Sequence, residues 1–475
     1  MTLIDDLCAT IGAKYIRTGA DTAPWQKDWM GAYHWQPLAV VHPKSTEQVA
    51  QIVKICTAHN TAMVPVGGHT GLTGATVAQD AVMISLDRMN QIRRITPDAQ
   101  VAVVEAGAVL QNIHTEVDQH DLIFPLFFGA RGSAMLGGAL STNAGGSNVL
   151  RYGNTRDLCL GLEVVTPTGD IMTLMSELRK DNTGLNLKHL FIGAEGTLGI
   201  ITAATLRLFP KPKGYVTAMV GLADLRAALP LLNRLQQETC GGVEAFEFMP
   251  RRYIERHIHH FSNAREPFDK PHAVNILVEI ASTRDSDFIT DGQGTPALTM
   301  LMEQALADLI GTGGAQDAVI AQNDAQRTAM WARREAAAEI TLGYPGQVDT
   351  DVAVPIDTVP DFLERVAPRI LAIDPGATEF YIAHLGDGNL HYTVYTSDET
   401  GALKDPVTEI IEDVVLSLGG SFSAEHGIGL SKRASMARRK DPVALQMMRQ
   451  IKEALDPKGL MNPGKLYPND DLSLI

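Results

Sequence analysis

Pro65-Val66-Gly67-Gly68-His69-Thr70-Gly71-Leu72-Thr73-Gly74, PVGGHTGLTG in one-letter code, decides how the first half of this chain is read. The residues that lead into it, Met63 to Val66, form a short apolar run that reads as a buried strand. A glycine-rich stretch directly after a strand presents main-chain amides to an anion, and glycine lets the backbone approach without a Cβ in the way. No Gly-Lys-Ser/Thr follows, so this is not a Walker loop, and no GxGxxG occurs in the chain, which disfavours a nicotinamide-binding Rossmann half. Alone, the stretch serves equally well as a phosphate cradle or a tight structural turn. Two further clusters, GARGSAMLGGALSTNAGGSN at 129–148 and GAEGTLGIIT at 193–202, favour the cradle, because a long dinucleotide needs several close backbone approaches.

Elements and glycine-rich turns alternate through the whole first part. Thr46 to Asn60 carries Val49, Ile52, Val53 and Cys56 at helical spacing, with Ser45 or Thr46 placed to cap it. VMISL and VAVVEAG read as strands, and a helix is predicted around Leu110 to Asp121. The texture changes at Pro210-Lys211-Pro212-Lys213-Gly214, where two prolines stiffen a domain boundary. Beyond it, amphipathic helices at 224–238, 295–310 and 323–342 alternate with strands at 273–281, 379–384 and 390–395. That order suits an α+β domain with helices on one face of a sheet. The turn-rich tail LDPKGLMNPGKLYP is expected to be pinned onto a neighbouring surface.

Composition narrows the classes of function. Of 475 residues, 45% are hydrophobic and 20% charged, enough for a substantial core and too apolar for long disordered tails. A formal charge of −15 without clustered Lys and Arg argues against nucleic acid as a partner. The apolar runs, such as Leu122 to Phe128 (LIFPLFF), are far shorter than the ~18 residues a spanning helix needs. Asp5 and Asp6 stand where a signal peptide carries positive charge, so neither export nor a membrane span is expected. Cysteines at 8, 56, 159 and 240 are too scattered for a CxxC pair and too few for a disulfide framework, which points to reduced thiols and a cytoplasmic location.

The second half contains His384-Leu385-Gly386-Asp387-Gly388-Asn389-Leu390-His391. If Asp387-Gly388 forms a two-residue hairpin turn, His384 and His391 stand directly opposed, with Cβ atoms about 4.5–5.5 Å apart. Two imidazoles at that separation can share an ion, but two ligands are too few. Glu425 and His426, in Ser423-Ala424-Glu425-His426-Gly427, offer a third ligand and a base, and His₂Glu with an open position is a catalytic zinc pattern. The competing reading is a pair of satisfied core or edge histidines. The run Arg256-His257-Ile258-His259-His260 reads as a solvated helix end rather than a metal site.

In order along the chain, PVGGHTGLTG, FPLFFGARGSAMLGGALSTNAGGSNVLRYG and LKHLFIGAEGTLGIIT resemble the three flavin-cradling segments of the vanillyl-alcohol-oxidase/PCMH-type FAD family. AHLGDGNLHYTV, SFSAEHGIGLSKR and DPKGLMNPGKLYP resemble the carboxy-terminal half of its D-2-hydroxyacid dehydrogenase branch. The likeness runs from about Pro37 to Pro468. It implies an α+β chain: a PCMH-type FAD-binding domain over 1–212, a substrate (cap) domain with an antiparallel sheet over 213–455, and a C-terminal segment, 456–475, packing back on the FAD domain. It further implies FAD held by Pro65, Gly67, Gly68, His69, Thr70, Gly71, Leu72, Ser133, Asn143, Gly146, Glu195, Gly199, Ile200 and Asn462. His384, His391 and Glu425 fall on the family's metal ligands, His426 on its active-site base, and Arg334 on an arginine that binds substrate carboxylate. Zinc is the first expectation for the ion, with manganese or another divalent cation open. His69 stands where the 2-hydroxyglutarate branch usually has Asn. Some members of the larger family attach FAD through a histidine beside a Gly-Gly pair, so His69 either bonds FAD covalently or only hydrogen-bonds it or its own loop.

The activity implied is FAD-linked, metal-assisted oxidation of a small D-2-hydroxy acid to the 2-keto acid. Electrons would pass to an electron-transferring flavoprotein or a quinone rather than NAD, and a homodimer is compatible. Three positions depart from the 2-hydroxyglutarate pattern: Ala338, Asp349 and Thr393 stand where a threonine, a lysine and an asparagine are expected. An anion in place of a cation beside a distal carboxylate costs binding, which brings forward a smaller or less acidic substrate such as D-lactate. Arg333 offers a compensating cation. Two other classes compete: a metal-dependent hydrolase using the His₂Glu site, and a non-catalytic flavin-binding subunit.

Overall fold

In a computed structural model, which describes residues 1–468, the apolar run before the first glycine-rich stretch becomes the edge of a four-stranded sheet. Its order is Ile16–Arg17, Ala39–Val41, Val82–Ser85, Met63–Val66, and the last three strands run parallel. Every residue of Ala39–Val41 and Val82–Ser85 is buried, as parallel strands covered on both faces require. Helix Thr46–Ala58 buries Val49, Ile52, Val53 and Cys56, and Ser45 caps it by accepting from the Gln48 amide. A five-stranded antiparallel sheet follows, ordered Ile92–Thr96, Val101–Glu105, Ile200–Arg207, Cys159–Val165, Ile171–Leu174. Phe124 and Leu126 of the LIFPLFF run are buried in this part of the chain.

The chain forms two compact units: Met1–Gly145, Gly153–Pro210 and everything from Glu425 onward, and, separately, Gly146–Tyr152 with Lys211–Ala424. The limits differ from 1–212, 213–455 and 456–475 in three places, the first a small shift of the boundary from 212 to Pro210. The return to the first unit begins at Glu425 rather than 456, because helix Pro442–Leu455 is anchored there: Lys452 Nζ donates to Thr197 O and to Met461 O, each at 2.7 Å. Gly146–Tyr152 goes with the second unit because Glu244 accepts hydrogen bonds from Asn148, Arg151 and Tyr152 at 2.6–2.7 Å. Residues 469–475 of the expected tail lie outside the described residues.

A seven-stranded antiparallel sheet forms the second unit, ordered Asp317–Ile320, Gly214–Leu222, Val274–Ser282, Val243–Pro250, Thr378–His384, Asn389–Tyr395, Gln347–Ala353. Alternate residues of these strands face opposite ways. One face carries Val220, Val278, Phe246, Phe248, Ala383, Leu390 and Val352 and is buried under helices Ala228–Glu238, Ala297–Gly311, Val359–Ile373 and Lys404–Ser417. The other carries Met219, Leu277, Met249, Phe380 and Ile382 and packs on Tyr253, Ile254, Met330 and Ile340. Helices therefore cover both faces, not one. The part of this layer formed by Arg251–His260 was hidden in the sequence because that helix is mostly charged or histidine and buries only Tyr253, Ile254 and His257. His257 thus turns inward from a helix end expected to be fully solvated.

The hairpin has a different register from the one expected. His384 pairs with Asn389 and Ile382 with His391, so four residues, Leu385 to Gly388, make the turn. The left-handed residue is Gly388, at φ +81°, where a Cβ would fall 2.1 Å from Val354 O, and Asp387 Oδ1 accepts from the Asn389 amide. His384 and His391 are therefore diagonal rather than direct neighbours. Because the slip is two residues, both remain on the same sheet face.

Candidate active site

The polar residues of the second unit collect at one end of that face. Glu247 is paired with His384 across adjacent strands, and Asp351 with His391. Glu247 is 1% exposed, yet its carboxylate is fully engaged: Arg334 Nε donates to Oε2 at 2.6 Å, and His384 Nδ1 lies 2.9 Å from Oε1. Burial alone would raise the Glu247 carboxyl, but the charges and hydrogen bonds of His384 and Arg334 outweigh it and hold it below the usual carboxylate range. With Nδ1–H directed at Glu247, the His384 ring has its Nε2 edge as the ligand edge, the arrangement by which carboxylates orient metal-binding histidines.

His391 repeats the pattern more loosely. Its Nδ1 lies 3.8 Å from Asp351 Oδ1, its ring meets that of His384 edge-on at 5.4 Å between centroids, and Asp351 is fixed by Asn389 Nδ2 at 2.9 Å. Arg334 comes from helix Asp324–Glu335 and is buried, so its partner is Glu247 and not Glu335 on its own helix or Glu339 on the next. Its Nη2 lies 3.3 Å from the His384 ring nitrogens, while Nη1 makes no hydrogen bond to protein among the described residues. Glu425 and His426 follow directly on Ala424, whose amide donates to Asp351 O at 3.2 Å. Glu247, Asp351 and Asn389 were missed in the sequence. Nothing in the sequence singled out the first two, since each shares its strand with another acid, Glu244 and Asp349.

In the first unit, the glycine-rich stretches and the tail converge on Pro65 to Gly68. A Cβ on Gly68 would fall 2.0 Å from Ser133 O, and one on Gly196 would fall 2.4 Å from Pro65 Cγ. Asn462 donates from its amide to Met63 O at 2.7 Å and from Nδ2 to Glu195 O at 2.7 Å. Among the described residues, none of the main-chain amides from Gly68 to Gly74, with Thr70 and Leu72 between, donates to a protein acceptor. Gly71, Gly132 and Gly138 have open space where a Cβ would be, and His69 Nδ1 and Asn462 Oδ1 are buried without partners. A ring of unpaired amides, open glycines and orphaned polar atoms fits an anionic, nucleotide-sized group.

Some expected cofactor contacts have other uses. Glu195, at φ +51°, turns its buried carboxylate to the amides of Ile428 and Gly429, both at 2.7 Å, which fixes the chain just after His426. Asn143, left-handed at φ 52°, caps helix Leu136–Thr142 and accepts from the Arg156 amide at 2.9 Å, so its side-chain oxygen is taken. Gly199 leads into the buried strand that begins at Ile200. His69, also left-handed at φ +58°, lies 2.5 Å through Nε2 from Lys27 O. A carbonyl can only accept, so Nε2 carries the proton and Nδ1 keeps its lone pair.

A flavin-type cradle in one unit and a histidine–carboxylate cluster on an antiparallel sheet in the other define a flavoprotein oxidoreductase architecture. Residues 37–175 match the model of the FAD binding domain, and 211–466 match that of the FAD linked oxidases, C-terminal domain. The chain is 35% identical to the D-2-hydroxyglutarate dehydrogenase of Xanthomonas citri pv. viticola over 95% of its own length and 94% of that protein. It is 34% identical to the mitochondrial D-2-hydroxyglutarate dehydrogenase of Arabidopsis thaliana, covering 93% of this chain and 77% of that one. It is also 33% identical to the D-2-hydroxyglutarate–pyruvate transhydrogenase of Saccharomyces cerevisiae, over 94% and 89%. The fold is shared with p-cresol methylhydroxylase at a TM-score of 0.73 and 16% identity, covering 99% of this chain and 97% of that one. The chain belongs to the D-2-hydroxyglutarate dehydrogenase family of FAD-linked oxidases and is an FAD-dependent oxidoreductase. That membership leaves the hydrolase and the non-catalytic subunit without support. No helix among the described residues is long and apolar enough to cross a membrane.

Proposed function

We propose that this protein oxidises a D-2-hydroxy acid to the 2-keto acid with the help of a divalent metal. The observation that supports this best is the pair of strand histidines on one sheet face, each beside a buried carboxylate, with Arg334 engaged by Glu247 and its Nη1 unspent. His384 and His391 would hold the ion, with Glu425 the third ligand that the resemblance implies. Pro65 to Leu72, Ser133 and Asn462 would hold FAD, chiefly through main-chain groups.

The residues then divide the work. Arg334 Nη1 takes an oxygen of a substrate carboxylate. Glu247 fixes both Arg334 and the His384 ring, so one carboxylate sets the position of a substrate-binding cation and of a ligand. His426 removes the hydroxyl proton as a hydride leaves the same carbon. Bound FAD would supply the two-electron acceptor, and a divalent cation would supply a Lewis acid. The electrons move on to an electron-transferring flavoprotein or a quinone.

Substrate choice turns on Asp349 and Thr393. The Thr393 hydroxyl donates to Asp349 Oδ1 at 2.6 Å across paired strands. Two of the three departures from the 2-hydroxyglutarate pattern therefore bond to each other and put a carboxylate where a second cation would otherwise meet a distal carboxylate. This favours D-2-hydroxy acids with an uncharged tail. D-2-hydroxyglutarate is the second reading, carried by the family. A panel of D- and L-2-hydroxy acids against an artificial electron acceptor tests both. Turnover of D-isomers only is expected, and turnover of L-isomers at equal rates would end the proposal.

A further inference from the structure

Arg333 and Arg334 are neighbours with opposite fates. A step of one residue turns the helix by roughly 100°, so while Arg334 reaches Glu247, Arg333 points toward helix Arg251–His260. It is 9% exposed. Its Nη2 donates to Arg265 O at 3.0 Å, Nε has no partner, and no carboxylate of the described residues lies within 4.0 Å of it. The nearby acid, Glu266, is already held by both terminal nitrogens of Arg251, each at 2.8 Å. Guanidinium groups do not shed their proton in proteins, so this is a buried positive charge with no carboxylate in contact, supported by Glu266 only at longer range.

A second orphan stands beside it. His257 is 8% exposed, its Nδ1 is buried without a partner, and its ring packs on Phe261 at 5.0 Å. Burial first, and the Arg333 charge second, push His257 down to about 4, so at neutral pH it is an uncharged ring able to offer one N–H. Burial also pulls Arg333 below its usual value. The surroundings are otherwise apolar, with Tyr253, Phe268 and Met330 buried. The Tyr253 hydroxyl donates to Arg333 O at 2.7 Å, which joins the two helices at this point. The other titratable neighbour, His260, is exposed and paired with Glu339 at 3.2 Å.

We propose that Arg333 Nε and His257 form a binding site for one small monovalent anion, a halide or a simple carboxylate, held between helices Arg251–His260 and Asp324–Glu335. The ion neutralises the guanidinium and joins the helix that carries Arg334 to its neighbour. It is a site distinct from the Glu247–Arg334–His384 cluster and does not rest on the redox reading. The ion is either a salt halide or the acid group of a small metabolite, and the test has an arm for each.

Thermal unfolding of the intact protein is followed in chloride, bromide, acetate and D-lactate, with ionic strength held constant by gluconate, which is too large for an enclosed site. A saturable rise of about 3 °C is expected with the anions that bind, and its loss in Arg333→Gln. Saturation by halide and acetate alike marks a general small-anion site, and saturation by the carboxylates alone marks a metabolite site. A crystal grown in sodium bromide provides a readout that needs no variant: an anomalous peak within hydrogen-bond distance of Arg333 Nε. Ordered water there in place of bromide and of any carboxylate, or an equal unsaturable salt effect in wild type and Arg333→Gln, overturns the proposal.

Discussion

Glu247 is the residue through which most of the second unit's site is held. Its two oxygens fix a guanidinium and an imidazole that come from different elements, and that bifurcated role is invisible in the sequence, where Glu247 is one of several acids in a strand. Asp351 plays the looser counterpart for His391. Removing its charge in Asp351→Asn keeps the shape and is expected to weaken metal binding roughly 10- to 100-fold, read as metal content after dialysis against a graded chelator. Unchanged affinity would show that His391 needs no orienting anion. Asp349 is the residue proposed to act on substrate choice. Asp349→Lys restores the cation expected for a distal carboxylate, and kcat/KM for D-2-hydroxyglutarate relative to D-lactate is expected to rise about tenfold, equivalent to about 1.4 kcal/mol of differential binding.

At the scale of elements, glycine patterns and apolar periodicity carried much of the structure. PVGGHTGLTG follows a strand because Met63–Val66 is an apolar run that ends where glycines begin, and helix Thr46–Ala58 lies where its spacing placed it. Gly68 shows why the loop is so rich in glycine: any Cβ there would enter the Ser133 carbonyl. Gly68→Ala is therefore expected to lower FAD retention at least tenfold, measured as released flavin fluorescence, whereas Gly71→Ala, with open space at its Cβ, is expected to change it far less. Equal loss in the two would remove the steric argument. The hairpin was less legible. Asp387-Gly388 carries a two-residue turn signal, but the chain uses four residues, since Asp387 bonds the Asn389 amide and Asn389 must reach Asp351. The sheet face survived because the slip was even. Behind it, the buried face of helix Arg251–His260 did not reveal itself, because a stripe of two apolar residues among charged ones reads as surface.

On the scale of the molecule, the sequence located the change of texture near Pro210 but not the early return at Glu425, since nothing local distinguishes a helix that packs on one unit from a helix that packs on the other. What ties the returning chain down is a partly buried cation. Lys452 is held by Asp456 Oδ2 at 2.6 Å and by two carbonyls, with burial lowering its ammonium and Asp456 opposing that shift. Lys452→Met strands the buried Asp456 charge and is expected to cost about 3 kcal/mol in the first unit, seen as a lower denaturation midpoint. Lys452→Met with Asp456→Asn should recover part of it, and no recovery would mean that the carbonyl contacts, not the ion pair, matter.

The account rests on metal-assisted oxidation at the His384–His391 face, and anaerobic reduction of the bound flavin measures it most directly. Holoenzyme is mixed with a D-2-hydroxy acid before and after complete removal of divalent metal, with metal content determined on the same samples. Loss of the flavin's visible absorption is expected only in the metal-loaded enzyme, with recovery when the ion is restored and none in His391→Ala. Bleaching at an undiminished rate in metal-free enzyme would contradict the account.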